Sequence, residues 1–194
     1  MDTTFQKYFV APQSFTEDST DLACRVYDSG FRPTHLVALW RGGATVGITV
    51  QETLRYLGID TNHIAIRTSG YKGTEIQREI KVYGLDYLVN TLNHNDQLLV
   101  VDDVFDTGRS VKAFIETLNA KLRRNMPEEV KIATVYYKPE KNETDLTPDY
   151  FVHETARDTW LVFPHELECV TDEELDQKGP KIASLLRTRT KRNV

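Results

Sequence analysis

Asp102 and Asp103 stand at the end of the apolar run Leu98-Leu99-Val100-Val101, and Thr107-Gly108-Arg109-Ser110 follows a few residues later. These residue types suit one chemistry. Two hydroxyls and the backbone N–H groups of a loop entering a helix can surround a phosphate, with the positive end of the helix dipole behind them. The neighbouring carboxylates can accept from sugar hydroxyls, directly or around a divalent ion held by oxygen ligands. A second cluster, Arg41-Gly42-Gly43, closes the apolar run His35–Trp40. Its glycines let backbone approach a ligand closely, and Arg41 brings charge against phosphate oxygens.

Both clusters need an α/β frame. The acidic turn lies between a short buried strand, Leu98–Val101, and a helical stripe of Val111, Phe114, Ile115, Leu118 and Leu122. In an open parallel sheet, ligands collect beyond the carboxyl ends of the strands. The glycine cluster likewise precedes a helix with Val46, Val50, Leu54 and Leu57 on its buried side. His63–Arg67 predicts a further strand, Thr68–Glu75 a loop, and the alternating Glu79–Tyr83 one arm of a hairpin. Val130–Tyr137 predicts another strand, ended by Lys138-Pro139.

The remaining segments read as packing. Residues 1–13 form a lead-in that docks Phe5, Tyr8 and Phe9. Ser14 with Glu17 predicts a capping box for a helix carrying Phe15, Leu22, Ala23 and Val26 as far as Gly30. Lys121, Arg123 and Arg124 suit a solvated helix C-terminus. Thr171 with Glu174 caps a helix over Thr171–Leu186, divided at Gly179-Pro180, and the basic tail beyond it is expected to be solvated.

The 194 residues support one substantial core, and 40% hydrophobic with 27% charged residues is ordinary for a globular protein. A net charge of -5 gives no general reason to expect a nucleic-acid partner. No apolar run is long enough to span a membrane, and Met1-Asp2-Thr3-Thr4 does not open a signal peptide, so a cytoplasmic protein without a membrane partner is expected. Cys24 and Cys169 are expected to be reduced thiols.

The stretch Leu98–Ser110 resembles the 5-phosphoribosyl 1-pyrophosphate motif of the type I phosphoribosyltransferases: a hydrophobic strand, two acidic residues, two apolar residues, then Asp-Thr-Gly, a variable residue and Ser or Thr. Trp40-Arg41-Gly42-Gly43 is similar to that family's pyrophosphate loop, which implies a cis peptide before Arg41. Ser69 and Tyr71 match its flexible active-site loop, and Lys138 matches the lysine by which the purine branch contacts the base oxygen. Asp158-Thr159-Trp160-Leu161, with Pro164, His165 and Glu166, resembles the hood of the xanthine-guanine and hypoxanthine-guanine members.

The resemblance implies an α/β fold with an open, mostly parallel sheet flanked by helices, a small C-terminal hood and a flexible hairpin loop. Residues 1–194 would be a single domain, with a core about 30–140 and a hood about 145–170 to which the N-terminal segment contributes. It implies magnesium-dependent transfer of phosphoribose from the pyrophosphate donor to N9 of a 6-oxopurine, hypoxanthine or guanine ahead of xanthine. Asp106 would be the acid/base group near N7; Asp102 and Asp103 would position the ribose hydroxyls and, with Glu166, the metal. Arg41, Gly42 and Gly43 would bind pyrophosphate, and Thr107, Gly108, Arg109 and Ser110 the 5-phosphate. Lys138, Trp160 and Leu161 would read the base. A homodimer or homotetramer is implied. The alternative is a non-catalytic regulator that senses a nucleotide or the phosphoribosyl donor on the same fold. A dinucleotide oxidoreductase fits less well, because Gly42-Gly43 does not extend to a dinucleotide fingerprint.

Overall fold

An apolar run with no polar alternation must be covered on both faces, the situation of an interior strand in a parallel sheet. In the computed structural model, which describes residues 6–70, 80–168 and 170–190, Leu98–Val101 meets this requirement with all four residues fully buried. The chain runs β1 (Gln6–Phe9), α1 (Pro12–Asp28), β2 (His35–Trp40), α2 (Gly42–Tyr56), β3 (Asn62–Gly70), β4 (Ile80–Tyr83) and α3 (Asp86–Thr91). It continues with β5 (Gln97–Phe105), α4 (Arg109–Leu122), β6 (Glu129–Tyr137), β7 (Tyr150–Glu154), β8 (Thr159–Val162) and α5 (Pro180–Thr190). Short 3₁₀ turns cover Arg123–Asn125, Pro139–Lys141 and Glu174–Lys178.

Two compact units divide the chain. The larger, Thr16–Arg157, holds a six-stranded sheet in the order β4-β3-β2-β5-β6-β7. All its neighbours are parallel except the β3–β4 pair. Helix α4 buries Val111, Phe114, Leu118 and Leu122 in its core, each such side chain worth about 1.5–3 kcal/mol. Helix α2 lies close on β2 because Gly47 has no side chain: a β-carbon there would stand 2.6 Å from Cβ of Ala38.

The smaller unit takes the described residues up to Phe15 and those from Asp158 onward. Its two strands, β1 and β8, pair in parallel from Gln6↔Thr159 to Phe9↔Val162. Lys7 Nζ meets Glu174 Oε2 at 2.7 Å, and the Phe15 ring packs on Phe163 with centroids 5.3 Å apart. Arg187 ties Asp172 to Asp176. The Thr171 capping box is present, its N–H donating to Glu174 Oε2 at 2.9 Å, and the helical segment divides at Gly179-Pro180 as expected.

Four local expectations change. Strand β5 runs through the acidic pair to Phe105 instead of turning after Val101, because β6 still pairs with it there, from Asp102↔Thr134 to Phe105↔Tyr137. Helix α1 begins at Pro12, which needs no N–H partner, so Ser14 lies inside the helix and is not its cap. Strand β3 continues through Ser69 to Gly70, held by antiparallel β4, so Ser69 is a strand residue opposite Lys81 and not a loop residue. Tyr150–Val152, grouped with the hood by resemblance, belongs to β7 at the edge of the main sheet.

At the amino end of β2, His35 is buried with Nδ1 3.0 Å from Thr34 Oγ1 and 3.7 Å from Asp96 Oδ1. Burial lowers its pKa below the ordinary 6.5, against the pull of the Asp96 charge. The unfolded chain therefore takes up the proton first. Stability is complete above pH 6.5 and falls as pH drops below it. The denaturant midpoint is expected to be lower at pH 5.5 than at pH 7.5, and His35→Gln is expected to reduce that difference; an unchanged difference would show that another group causes it.

Candidate active site

Because β2, β5 and β6 are parallel neighbours, their carboxyl ends open on one edge of the sheet. The residues singled out in Trp40–Gly43, Asp102–Ser110 and Lys138 all lie there. Trp40, 53% exposed, ends β2, and the Trp40–Arg41 peptide is cis, as the resemblance implied. Arg41 starts α2 directly, its carbonyl accepting from Ala44 N at 3.1 Å.

The two glycines that follow are required by the acidic pair. A β-carbon on Gly42 would overlap the Asp103 carboxylate, and one on Gly43 would stand 2.5 Å from Val101 O and 2.9 Å from Asp102 Cα. Asp103, 8% exposed, accepts from Val104 N at 2.8 Å. Asp102 accepts from the amides of Asp103, at 3.0 Å, and Gly43. Burial, and then the charge of Asp103, push the Asp102 carboxyl well above the usual carboxylate range; the two amide hydrogen bonds oppose this without cancelling it.

Two crowded carboxylates with oxygen-only donors fit a hard divalent cation. Magnesium in particular keeps much of its water and takes one or two carboxylates together with substrate phosphates. Among the described residues, no three His, Cys, Asp or Glu side chains form a ready-made metal site. Glu166, in the smaller unit, accepts from Phe163 N at 3.1 Å through Oε2 and so braces its own turn.

The phosphate loop lies between β5 and α4. Gly108 has φ +76°, the left-handed region, and a β-carbon there would meet Thr144 Oγ1 at 2.6 Å and the Phe105 ring at 2.7 Å. Thr107 Oγ1 reaches Arg109 N at a long 3.5 Å. A helix leaves its first amides without intrahelical partners, so this turn presents donors suited to a phosphate.

Lys138 is only 5% exposed. Its amide donates to Phe105 O at 3.0 Å, and its ammonium stands 3.3 Å from Asp106 Oδ1. Pattern reading missed the segment that follows. Lys141 Nζ donates to Asp106 Oδ2 at 2.7 Å, Glu143 N to Thr107 O at 3.0 Å and Lys112 Nζ to Asp145 at 2.6 Å, while Glu143 pairs with Arg109. The run Lys138–Asp145 thus lies against the phosphate loop. Its alternation of cations with acidic and amide side chains, directly after a strand end, was the available signal.

Other predicted positions lie elsewhere. Ser69 is on β3, and Tyr71 falls outside the described residues. Trp160 and Leu161 belong to β8 of the smaller unit, Trp160 exposed and Leu161 buried.

The fold and this site define an α/β protein whose candidate site lies beyond the carboxyl ends of a parallel sheet. Residues 9–171 match the Phosphoribosyl transferase domain, and the chain belongs to the phosphoribosyltransferase family. It is 29% identical over 161 residues to a xanthine-guanine phosphoribosyltransferase of Desulfotalea psychrophila, spanning 83% of this chain and 87% of that one. A xanthine-guanine phosphoribosyltransferase of Idiomarina loihiensis is 31% identical over 132 residues, 68% of this chain and 70% of the relative. The crystal structure of a purine phosphoribosyltransferase from Pyrococcus horikoshii Ot3 superposes with a TM-score of 0.64 at 25% identity, covering 85% of this chain and 97% of that one. Within the family, the chain falls in the purine branch of the type I members.

Two substitutions test the geometry. Asp102→Asn keeps an oxygen for both amides and removes one buried charge, so it is expected to raise the melting temperature by about 2–4 °C while losing activity. Gly43→Ala presses on backbone that cannot move aside and is expected to cost about 1–3 kcal/mol in a denaturant titration. An unaltered midpoint in Gly43→Ala would contradict the packing of α2 on the acidic pair.

Proposed function

We propose that the protein transfers the 5-phosphoribosyl group from 5-phosphoribosyl 1-pyrophosphate to N9 of a 6-oxopurine, releasing pyrophosphate. The observation that carries this reading is the Lys138 ammonium 3.3 Å from Asp106 Oδ1, beside the phosphate loop. One donor and one acceptor at that spacing complement a purine edge, where a carbonyl oxygen and a ring N–H are adjacent. Xanthine and guanine both stand in the names of the two curated relatives, and hypoxanthine is the other candidate.

The reaction breaks the bond from C1′ to the pyrophosphate oxygen and forms the bond from C1′ to N9. Positive charge develops on the sugar and negative charge on the leaving group, so the protein's task is largely electrostatic. The amides and hydroxyls of Thr107–Ser110 hold the 5-phosphate. Asp102 and Asp103 accept from the ribose hydroxyls and favour the positive ring. Arg41 and the amide of Gly42 take the pyrophosphate, and Gly43, its amide held by Asp102, lets the backbone come close. Magnesium, when bound, supplies charge neutralisation on that leaving group, and Asp102 and Asp103 are the residues suited to hold it. Lys138 polarises the base oxygen, while Asp106 accepts the N7 proton as N9 bonds to C1′. Trp160 and Leu161 keep the base-reading role the resemblance assigns them, and Tyr71 its role in excluding water, with Ser69 at the end of β3 two residues before it.

Purified protein with magnesium and the phosphoribosyl donor, assayed separately with guanine, hypoxanthine, xanthine, adenine and orotate, is expected to form nucleotide and pyrophosphate only with 6-oxopurines. Asp106→Asn is expected to bind ribose 5-phosphate normally and lose about 10²–10³-fold in turnover. No turnover with any base, alongside tight nucleotide binding, would favour the regulator; full turnover by Asp106→Asn would remove its acid/base role.

A further inference from the structure

The two oxygens of Asp106 are held differently. Oδ2 accepts a hydrogen bond from Lys141 at 2.7 Å. Oδ1 is buried and, among the described residues, accepts no hydrogen bond, although the Lys138 ammonium is 3.3 Å away. A carboxylate free to rotate would exchange its oxygens. A charge-assisted hydrogen bond to one of them decides which faces the other way.

Lys141 is well fixed for this task. It closes the Pro139–Lys141 turn, with its amide donating to Lys138 O at 3.1 Å and Asn142 N donating to Pro139 O at 3.3 Å. Beyond it, Asn142 Nδ2 donates to Leu146 O at 2.7 Å, and Asn142 Oδ1 accepts from Thr144 N at 2.9 Å. Glu143 N then ties the segment to Thr107 O. The Lys141 side chain therefore reaches Asp106 from a turn anchored both to itself and to the phosphate loop.

We propose that Lys141 is a positioning residue: by holding Oδ2 of Asp106, it aims Oδ1, next to the Lys138 ammonium, at the imidazole edge of the purine. The inference rests on the transfer reaction proposed above and deepens it. When the base arrives, Lys138 donates to the base oxygen and its contact with Oδ1 is given up. Oδ1 then takes the N7 proton as the N9–C1′ bond forms, and that proton leaves to solvent when the nucleotide is released. Throughout, Oδ2 stays on Lys141. Without Lys141, Asp106 turns and draws Lys138 into a closed ion pair, and the base must compete for both groups.

The test compares Lys141→Met and Lys141→Arg with the whole wild-type chain. Lys141→Met is expected to lose about 10–100-fold in kcat, with KM for the phosphoribosyl donor within about twofold, and Lys141→Arg to recover most of the loss. By calorimetry, Lys141→Met is expected to weaken a 6-oxopurine nucleoside 5′-monophosphate about tenfold while leaving ribose 5-phosphate unchanged. Added to Asp106→Asn, Lys141→Met is expected to cost less than about twofold more, since both act through one carboxylate. Wild-type kinetics and affinities in Lys141→Met, or a parallel loss of ribose 5-phosphate binding, would overturn the inference. A wild type that turns over no base would overturn the transfer reaction, while the two affinities still decide whether Lys141 positions Asp106 for the base.

Discussion

The larger unit depends on one close approach: the start of α2 lying directly on the acidic end of β5. Strand β2 stops pairing with β5 at Val101, while β6 continues beside β5 to Phe105. The space left on the β2 side is filled by Gly42 and Gly43, with no room for a β-carbon at either. This contact brings the amides of a helix start to two carboxylates and joins two segments some sixty residues apart into one surface. Gly47 on Ala38 continues the same approach further along α2, so three glycines on one helix set the distance between helix and sheet.

The approach also concentrates charge. Asp102 and Asp103 are adjacent and mostly covered, and burial makes the charged form of Asp102 costly. Three residues later, Asp106 is compensated by two lysines. The strand end thus divides into a part left electrostatically demanding and a part already neutralised. A polyanionic sugar with a cation suits the first, and a neutral base suits the second. Folding stability is spent on the first, since a hydrophobic or amide pair there would hold the backbone at lower cost.

Much of this was legible because the chemistry limits the residue types. Phosphate binding needs small residues with accessible amides, so Thr107-Gly108-Arg109-Ser110 is recognisable wherever it follows a buried strand. Helices α2 and α4 showed through their apolar stripes, and the Thr171–Glu174 box through reciprocal capping. The extent of β5 was hidden, since acidic residues resemble a turn when the neighbouring strand that pairs with them lies about thirty residues away. Lys138 was legible only through the family resemblance, and Lys141 was missed, for the same reason: their partner, Asp106, is distant in sequence. Burial of a lysine is a tertiary fact with no local signature. The place of Tyr150–Glu154 in the main sheet, and not with the residues that follow it, likewise depends on β6.

The pairing of β1 with β8 has a consequence for the order of events on the ribosome. Gln6 waits for Thr159, about 150 residues of synthesis later, or roughly 8–30 s at ~5–20 residues per second. By then every strand of the six-stranded sheet has already been made. Strand β1, made before every strand of that sheet, therefore finds its neighbour only after all of them are made. Until Thr159–Val162 is made, Tyr8 and Phe9 stay unpaired, an interval in which a chaperone that recognises short extended apolar segments has its opportunity to bind.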